Sequence, residues 1–188
     1  TTSTVEYDLF ENSTESLADA ALLATENDVV VLALGEADWM SGEAASRSDI
    51  KLPQSQIELF NEVRKVAKKV VVVLINGRPL DLNDINEADA VLEAWFPGTE
   101  GGNAIANILF GEVNPSGRLS MSFPESVGQV PVYYNTENTG RPYESAPDEK
   151  YVSKYLDVSN YAKYPFGYGL SYSEVSYNEM TLNKENGA

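Results

Sequence analysis

Three runs of apolar residues dominate the hydrophobic pattern of the chain. Residues 28–34, 69–75 and 90–95 are almost continuously apolar and rich in valine, leucine and alanine. Such runs are typical of strands that are buried on both faces of a parallel sheet, because a strand with one wet face alternates polar and apolar positions instead. The pattern therefore predicts three buried strands.

Between and around these runs the pattern changes to helical spacing. Residues 15–26 and 54–67 carry apolar side chains three and four positions apart, and residues 101–110 form a shorter run of small residues. This spacing predicts three helices. Ser13 or Thr14 can cap the first helix, and Gly111 ends the third.

The order of these elements predicts the fold class. Alternating strands and helices indicate an α/β fold, a three-layer sandwich with a mostly parallel, flavodoxin-like sheet and loops at the carboxyl ends of the strands. A long irregular segment follows, because residues 123–170 are rich in Tyr, Pro and Gly without periodicity. Residues 171–182 alternate like an edge strand, and residues 183–188 form a polar tail.

Charge and residue usage exclude several classes of function. The 188 residues carry 29 acidic and 13 basic side chains, a net charge of −16, which repels nucleic acids and anionic membranes but suits a neutral substrate such as a sugar. The apolar runs are too short to span a bilayer. No signal peptide is visible, although a chain that begins inside a protein would not show one, so a cytoplasmic and a periplasmic or secreted location both stay open.

The chain has neither cysteine nor histidine. Disulfides, thiolate nucleophiles, Cys-based metal sites and Ser–His relays are therefore excluded, and the commonest metal ligand is missing. We predict no metal and no cofactor. Any proton transfer must use Asp, Glu, Tyr or Lys.

The loop after the first predicted strand, residues 35–52, is the best candidate for chemistry. It holds Glu36, Trp39, Glu43 and Arg47 beyond a strand end. A carboxylate beside a tryptophan that can stack on a sugar ring has the components of an acid/base site. A solvated surface loop of an acidic protein would have the same composition, and composition favours that alternative.

Three of four further motifs are predicted to be mainly structural. The segment 76–79 is predicted to be a turn, and 97–102 is a tight glycine-rich loop without the lysine and the glycine register of a phosphate site. The aromatic segment 164–170 favours packing between domains. The segment 139–143, which contains Arg141, suits packing and a sugar site about equally.

Taken together, these motifs form an ordered series that resembles a known family. The series resembles the C-terminal α/β sandwich domain of family 3 glycoside hydrolases, in the bacterial periplasmic-type β-glucosidase group, over residues 28–175. The segments that carry the resemblance are DVVVLALGEADWMSGEAASRSDIKLPQSQ, INGRPL, EAWFPGTEGGNAIANILFGEVNPSGRLSMSFP, GQVPVYYNTENTGRPY and KYPFGYGLSYS.

The resemblance implies one half of a two-domain retaining enzyme. Such an exo-acting β-glucosidase removes terminal β-linked glucosyl residues from β-glucosides or oligosaccharides, with an aspartate nucleophile in an N-terminal barrel and an acid/base glutamate in the sandwich domain. The two carboxyl groups lie about 5–5.5 Å apart. The barrel and the opening part of the sandwich domain are absent from this chain, so we expect the chain to be inactive alone.

The resemblance also implies which glutamate is the acid/base. The family motif is a Glu, then a Gly, then an Asp-Arg pair upstream of a Leu-Pro. Counting back from Leu52 puts Arg47 in register and Glu43 at the glutamate, with Ala44 in place of the Gly and Ser46 in place of the Asp. Glu36 is the competing candidate, with a structural role in holding the loop. Because only the barrel would bury the acid, Glu43 is expected to be exposed here.

Several roles and boundaries are further expectations. Trp39 is expected to stack on the aglycone side, and Arg47 or Arg141 to orient the loop or bind hydroxyls. Residues 1–170 are assigned to the sandwich domain, and 171–188 to the start of a fibronectin type III-like domain or a linker. An unpaired sheet edge could pair two chains as a homodimer.

Two other functions are consistent with the pattern. A non-catalytic carbohydrate-binding or scaffold domain of a family 3 enzyme would keep the fold without using Glu43. A flavodoxin-like nucleotide or response-regulator domain fits the strand order, but the phosphate loop and the paired acidic residues at the first strand end are missing.

Overall fold

The computed structural model describes residues 13–181, in which the helices and strands follow the predicted order. Each element lies within two residues of its predicted bounds. The elements are α1 Thr14–Glu26, β1 Val30–Gly35, α2 Gln54–Val66, β2 Val70–Ile75, β3 Ala90–Glu93 and α3 Gly101–Leu109. None of these helices is both long and apolar enough to cross a membrane.

The three strands form one parallel sheet in the order β1-β2-β3. Val30 pairs with Val70 at one end of the first ladder, and Gly35 pairs with Ile75 at the other. This parallel sheet with helices in the connections confirms the predicted α/β sandwich class. Since all three strands run in one direction, the loops after Gly35, Ile75 and Glu93 all leave the sheet at the carboxyl ends of the strands.

One face of the sheet carries the core. Val70, Val72 and Leu74 of β2 are completely shielded from solvent, and they pack with Phe60 and Val63 of α2. Burying a side chain of this size contributes about 1.5–3 kcal/mol to folding. Helix α1 joins the same core and begins at Ser13, whose hydroxyl oxygen accepts a hydrogen bond from the backbone N–H of Ser16 at 2.9 Å. Ser13 is therefore the cap.

The opposite face of β1 is not buried, which corrects the prediction for this strand. Leu32 and Leu34 are buried, whereas Val31 before Leu32 is 49% exposed and Ala33 between the two leucines is exposed as well. Successive side chains of a strand point to opposite faces, so the alternation shows one covered and one open face. The apolar run indicates a strand made for two covered faces, but within residues 13–181 only one of them is covered on β1.

The irregular segment is confirmed as ordered coil fastened to the domain. Residues 123–170 contain two short 3₁₀ turns, at Val127–Gln129 and Tyr143–Ser145. The backbone N–H of Phe123 donates to the carbonyl of Tyr164 at 2.8 Å within the segment, and Asn83 Nδ2 outside it donates to the carbonyl of Glu125 at 2.6 Å, which fastens the segment to the domain.

The predicted edge strand after residue 171 is wrong over the part that the structure describes. Residues 171–181 contain no strand. Their alternation is compatible with a strand, but a strand forms only where a neighbouring backbone supplies a ladder. The chain is held at its start, where the N–H of Tyr172 donates to Asn114 Oδ1 at 2.8 Å. Residue 182 and the predicted tail 183–188 lie outside the described residues.

Candidate active site

The candidate loop begins at a fixed point where β1 ends. Gly35 lies so close to β2 that a Cβ atom there would be 1.9 Å from the carbonyl oxygen of Ile75, and its φ of 149° is one that other residues rarely adopt. The buried Gln56 side chain of α2 accepts from the N–H of Gly35 at 2.8 Å and donates to its carbonyl at 3.0 Å. Strand, helix and loop are thereby joined at one residue.

Glu36 is buried next to this point and faces two arginines. Its side chain is fully shielded from solvent. Oε1 accepts a hydrogen bond from Arg47 Nη1 at 2.8 Å and lies 2.8 Å from Arg78 Nε, in an ion pair that lacks the direction of a hydrogen bond. Oε2 accepts from the backbone N–H of Gly77 at 3.2 Å. These contacts compensate the cost of burying the charge, and they match the structural role predicted for Glu36.

Arg78 lies in the loop after β2. It binds backbone carbonyls on both sides of residues 41–44, the segment that carries Glu43. Its Nη2 donates to the carbonyl of Met40 and, at 2.7 Å, to the carbonyl of Ala45. Arg47 ties the far end of the loop, because its Nη2 donates to the carbonyl of Lys51 at 2.9 Å. Only residues 41–44 project beyond these attachments.

Glu43 is exposed at the tip of this projection, as expected. The residues on either side of it adopt left-handed conformations, Gly42 with φ 106° and Ala44 with φ 59°. An L-residue other than glycine is strained by about 1–2 kcal/mol in this region. The position that is Gly in the family motif is therefore a position where the backbone favours Gly, which supports the register that places Glu43 at the acid/base.

The other predicted site residues are not all brought together. Trp39 is 66% exposed in the 3₁₀ turn Asp38–Met40, on the same loop as Glu43. Arg47 points inward to Glu36 and Lys51. Arg141 is exposed in the irregular segment, where its carbonyl accepts from Ser153 at 2.9 Å. Within residues 13–181, no hydrogen bond or ion pair joins Arg141 to the loop of Glu43.

A cavity of about 450 Å³ lies beside the loop, between the two arginines and the irregular segment. Arg47 and Arg78 line one side of it. The other side is mostly apolar and includes Tyr134 and Phe166, whose rings stack with centroids 4.4 Å apart. The aromatic segment 164–170 thus contributes a wall next to the loop as well as packing.

Two features near the loop have contacts that the sequence did not predict. One is the turn 76–79, predicted to be mainly structural, where Gly77 is crowded by Ser41 and Phe96 and Arg78 reaches Met40. The other is Glu93, the one acidic residue within the third apolar run. Burial raises the pKa of Glu93 to about 7, although hydrogen bonds from the Trp95 N–H and from Asn76 oppose the shift. The position of Glu93 within an apolar run was the sequence feature that could have pointed to its burial.

Comparisons with known proteins identify the family. The family model of the glycosyl hydrolase family 3 C-terminal domain matches residues 3–172. The chain belongs to glycoside hydrolase family 3. It is 51% identical over 173 residues to a periplasmic beta-glucosidase of Salmonella typhimurium, and 41% identical over 177 residues to a beta-xylosidase of Formosa agariphila.

Solved family 3 structures share the fold of this chain. The crystal structure of a beta-glucosidase from Listeria innocua in complex with isofagomine superimposes with a TM-score of 0.86 at 50% identity, covering 90% of this chain. The chain spans 24% of that protein, and 23% and 24% of the Salmonella and Formosa proteins, whose alignments cover 91% and 94% of this chain. The chain therefore corresponds to one part of these longer relatives.

Proposed function

We propose that this domain supplies the general acid/base of a retaining, exo-acting β-glucosidase, and that Glu43 is that residue. The observation that carries the proposal is the contrast between two glutamates on one loop. Glu36 is buried against two arginines, whereas Glu43 is exposed at a braced tip and has no hydrogen-bond or ion-pair partner within residues 13–181. A carboxyl group that must reach a substrate bound in another domain has to be exposed and unpaired, and among the described residues Glu43 meets this condition whereas Glu36 does not.

The reaction then divides between two domains. An aspartate of an N-terminal barrel attacks the anomeric carbon while Glu43 protonates the departing glycosidic oxygen, and the sugar becomes an ester of the aspartate. Glu43, now a carboxylate, takes a proton from water as the water hydrolyses that ester. The closing barrel would desolvate Glu43 and place a second carboxylate near it, and both influences favour the protonated acid.

We propose a terminal β-linked glucosyl group as the substrate. Beta-glucosidases predominate among the similar proteins, and the Listeria enzyme has been crystallised with glucose and, as an aspartate-to-alanine mutant, with laminaribiose. A xylosyl group is the second candidate, because the Formosa relative is a beta-xylosidase. Trp39 would stack on the aglycone, Arg141 would bind hydroxyls, and Arg47 would orient the loop.

The test replaces Glu43 by Gln in the full-length enzyme. We expect kcat/KM for phenyl β-glucoside to fall by about 10²–10⁴-fold, the usual contribution of a general acid. Azide should restore turnover of an activated aryl glucoside and yield a glycosyl azide, because azide attacks the intermediate without base assistance. Asp49→Asn, an exposed acid of the same loop, is the control and should keep its activity.

Full activity of the Glu43→Gln enzyme would instead support the scaffold function, in which the domain carries no acid/base.

Assembly, boundaries and location complete the proposal. β1 pairs only with β2 within the described residues, so its free edge is where a homodimer would form. Residues 171–188 would begin a fibronectin type III-like domain or a linker. The periplasmic location of the Salmonella relative is compatible with a periplasmic or secreted full-length enzyme.

A further inference from the structure

We infer that Arg78 is the positioning residue that holds Glu43 within reach of the glycosidic oxygen. The inference rests on the proposed role of Glu43, and it concerns a residue in a different loop, after β2. Arg78 touches neither substrate nor reacting atoms in this account. It acts on Glu43 through the backbone of the loop that carries it.

Arg78 binds a pair of carbonyls at the base of the loop tip. Met40 and Ala45 stand on the two sides of the projecting residues 41–44, and one nitrogen, Nη2, donates to both carbonyls. The guanidinium of Arg78 thus connects the two ends of segment 41–44. If the guanidinium is lost, the two sides are no longer held at one separation, and the tip that bears Glu43 is free to shift.

Arg78 is itself held in place by neighbouring groups. Its Nε lies 2.8 Å from Glu36 Oε1, and Glu36 is held by Arg47 and by the N–H of Gly77. The carbonyl of Arg78 accepts from Asn76 Nδ2 at 2.8 Å. A buried carboxylate at the end of β1 and an ordered turn at the end of β2 therefore set the direction of the guanidinium. Lysine would keep the charge but has no planar fork to make these contacts together.

The inference predicts a specific kinetic signature. A misplaced acid matters most when the leaving group is a poor one, because a good leaving group departs with little protonation. For Arg78→Lys and Arg78→Met in the full-length enzyme we expect kcat/KM on phenyl β-glucoside to fall by about 10²-fold, the size of a 1 Å misplacement. On dinitrophenyl β-glucoside the loss should stay below about tenfold.

Arg64 provides a matched control. It also pairs with a carboxylate, Asp89 at 2.9 Å, and with a backbone carbonyl, that of Ala67 at 3.2 Å, and its side chain is 25% exposed against 21% for Arg78. It lies at the end of α2, away from the loop. Arg64→Lys and Arg64→Met should keep the wild-type ratio of the two substrates, even if their melting temperature falls.

The outcomes separate this inference from the proposed function. Equal losses on both substrates, or wild-type kinetics in Arg78→Lys, would overturn the positioning role, and Arg78→Lys decides alone if Arg78→Met fails to fold. Glu43→Gln is measured alongside. If it shows no dependence on the leaving group, the acid/base assignment itself fails; if it shows that dependence and Arg78→Lys does not, only the role of Arg78 fails.

Discussion

Glu43 is presented by two neighbours in left-handed conformations, Gly42 at φ 106° and Ala44 at φ 59°. Gly42 adopts its conformation without strain, whereas Ala44 does so at a cost of about 1–2 kcal/mol. The cost is offset by the attachments on both sides, since Arg78 binds the carbonyls of Met40 and Ala45. Local strain at an exposed carboxylate that is firmly held at its base is common at functional sites.

Ala44→Gly should therefore stabilise the chain. Relief of the strain outweighs the extra freedom that glycine gives the unfolded chain, for a net gain of about 0.5–1 kcal/mol in the free energy of unfolding. Denaturant unfolding of the chain measures it. Ala45→Gly is the control, because Ala45 is not in the left-handed region and glycine there should destabilise. A loss of stability in Ala44→Gly would contradict the assigned conformation.

At the scale of elements, the carboxyl ends of the three parallel strands are joined by one network of hydrogen bonds. Gln56 of α2 joins the end of β1, the N–H of Gly77 after β2 reaches Glu36, and Asn76 reaches Glu93 at the end of β3. Asn76 is fully buried, and its Oδ1 has no hydrogen-bond partner among the described residues. This network therefore holds the carboxyl group of Glu93 in a poorly solvated position, where its protonated form is favoured.

The titration of Glu93 should appear in the pH dependence of stability. Its pKa rises from 4.5 in the unfolded chain to about 7 in the folded one, so the folded chain keeps a proton that the unfolded chain releases between these values. The resulting stabilisation is complete below pH 4.5 and is lost as the pH rises through 7. Glu93→Gln lacks this titration.

Relative to Glu93→Gln, the wild type should therefore lose about 3 kcal/mol at most as the pH is raised from about 5 to about 8. Denaturant unfolding at several pH values measures the difference. Glu112→Gln, which changes an exposed acid and keeps Glu93, is the matched control. A difference between wild type and Glu93→Gln that stays constant with pH would contradict the raised pKa.

At the scale of the whole molecule, the domain has one covered and one partly open face. Val72 and Leu74 are completely buried beneath the helices, whereas Val31 is about half exposed. The chain spans about a quarter of the family 3 proteins that it resembles. In the proposed reaction, this domain supplies Glu43 at an exposed tip and another part of the full-length enzyme supplies the nucleophile.

The 188-residue chain by itself should therefore leave aryl β-glucosides intact, including the dinitrophenyl glucoside that needs little acid assistance. Release of the chromophore by the purified chain, with contaminating glucosidases excluded, would show that the nucleophile lies within this domain. The full-length enzyme at equal molarity is the positive control.

The sequence alone determined the elements and the family, and tertiary structure decided which residues cooperate. Apolar runs and helical spacing predict strands and helices because these patterns depend on neighbouring positions along the chain, so β2 and α2 were placed within one residue. The motif register on which the proposal of Glu43 rests likewise depends on neighbouring positions along the chain.

The partners of Glu36 lie 11 and 42 residues away, and no local pattern encodes that Arg47 and Arg78 meet there. Likewise, the apolar run of β1 shows that two faces suit burial, but only packing shows that Val31 is open. Residues 171–181 have the alternation of a strand and form none, because a ladder requires a neighbour that the sequence of one segment does not supply. Contacts between distant segments depend on how the elements pack, and that is the part that only the folded chain decides.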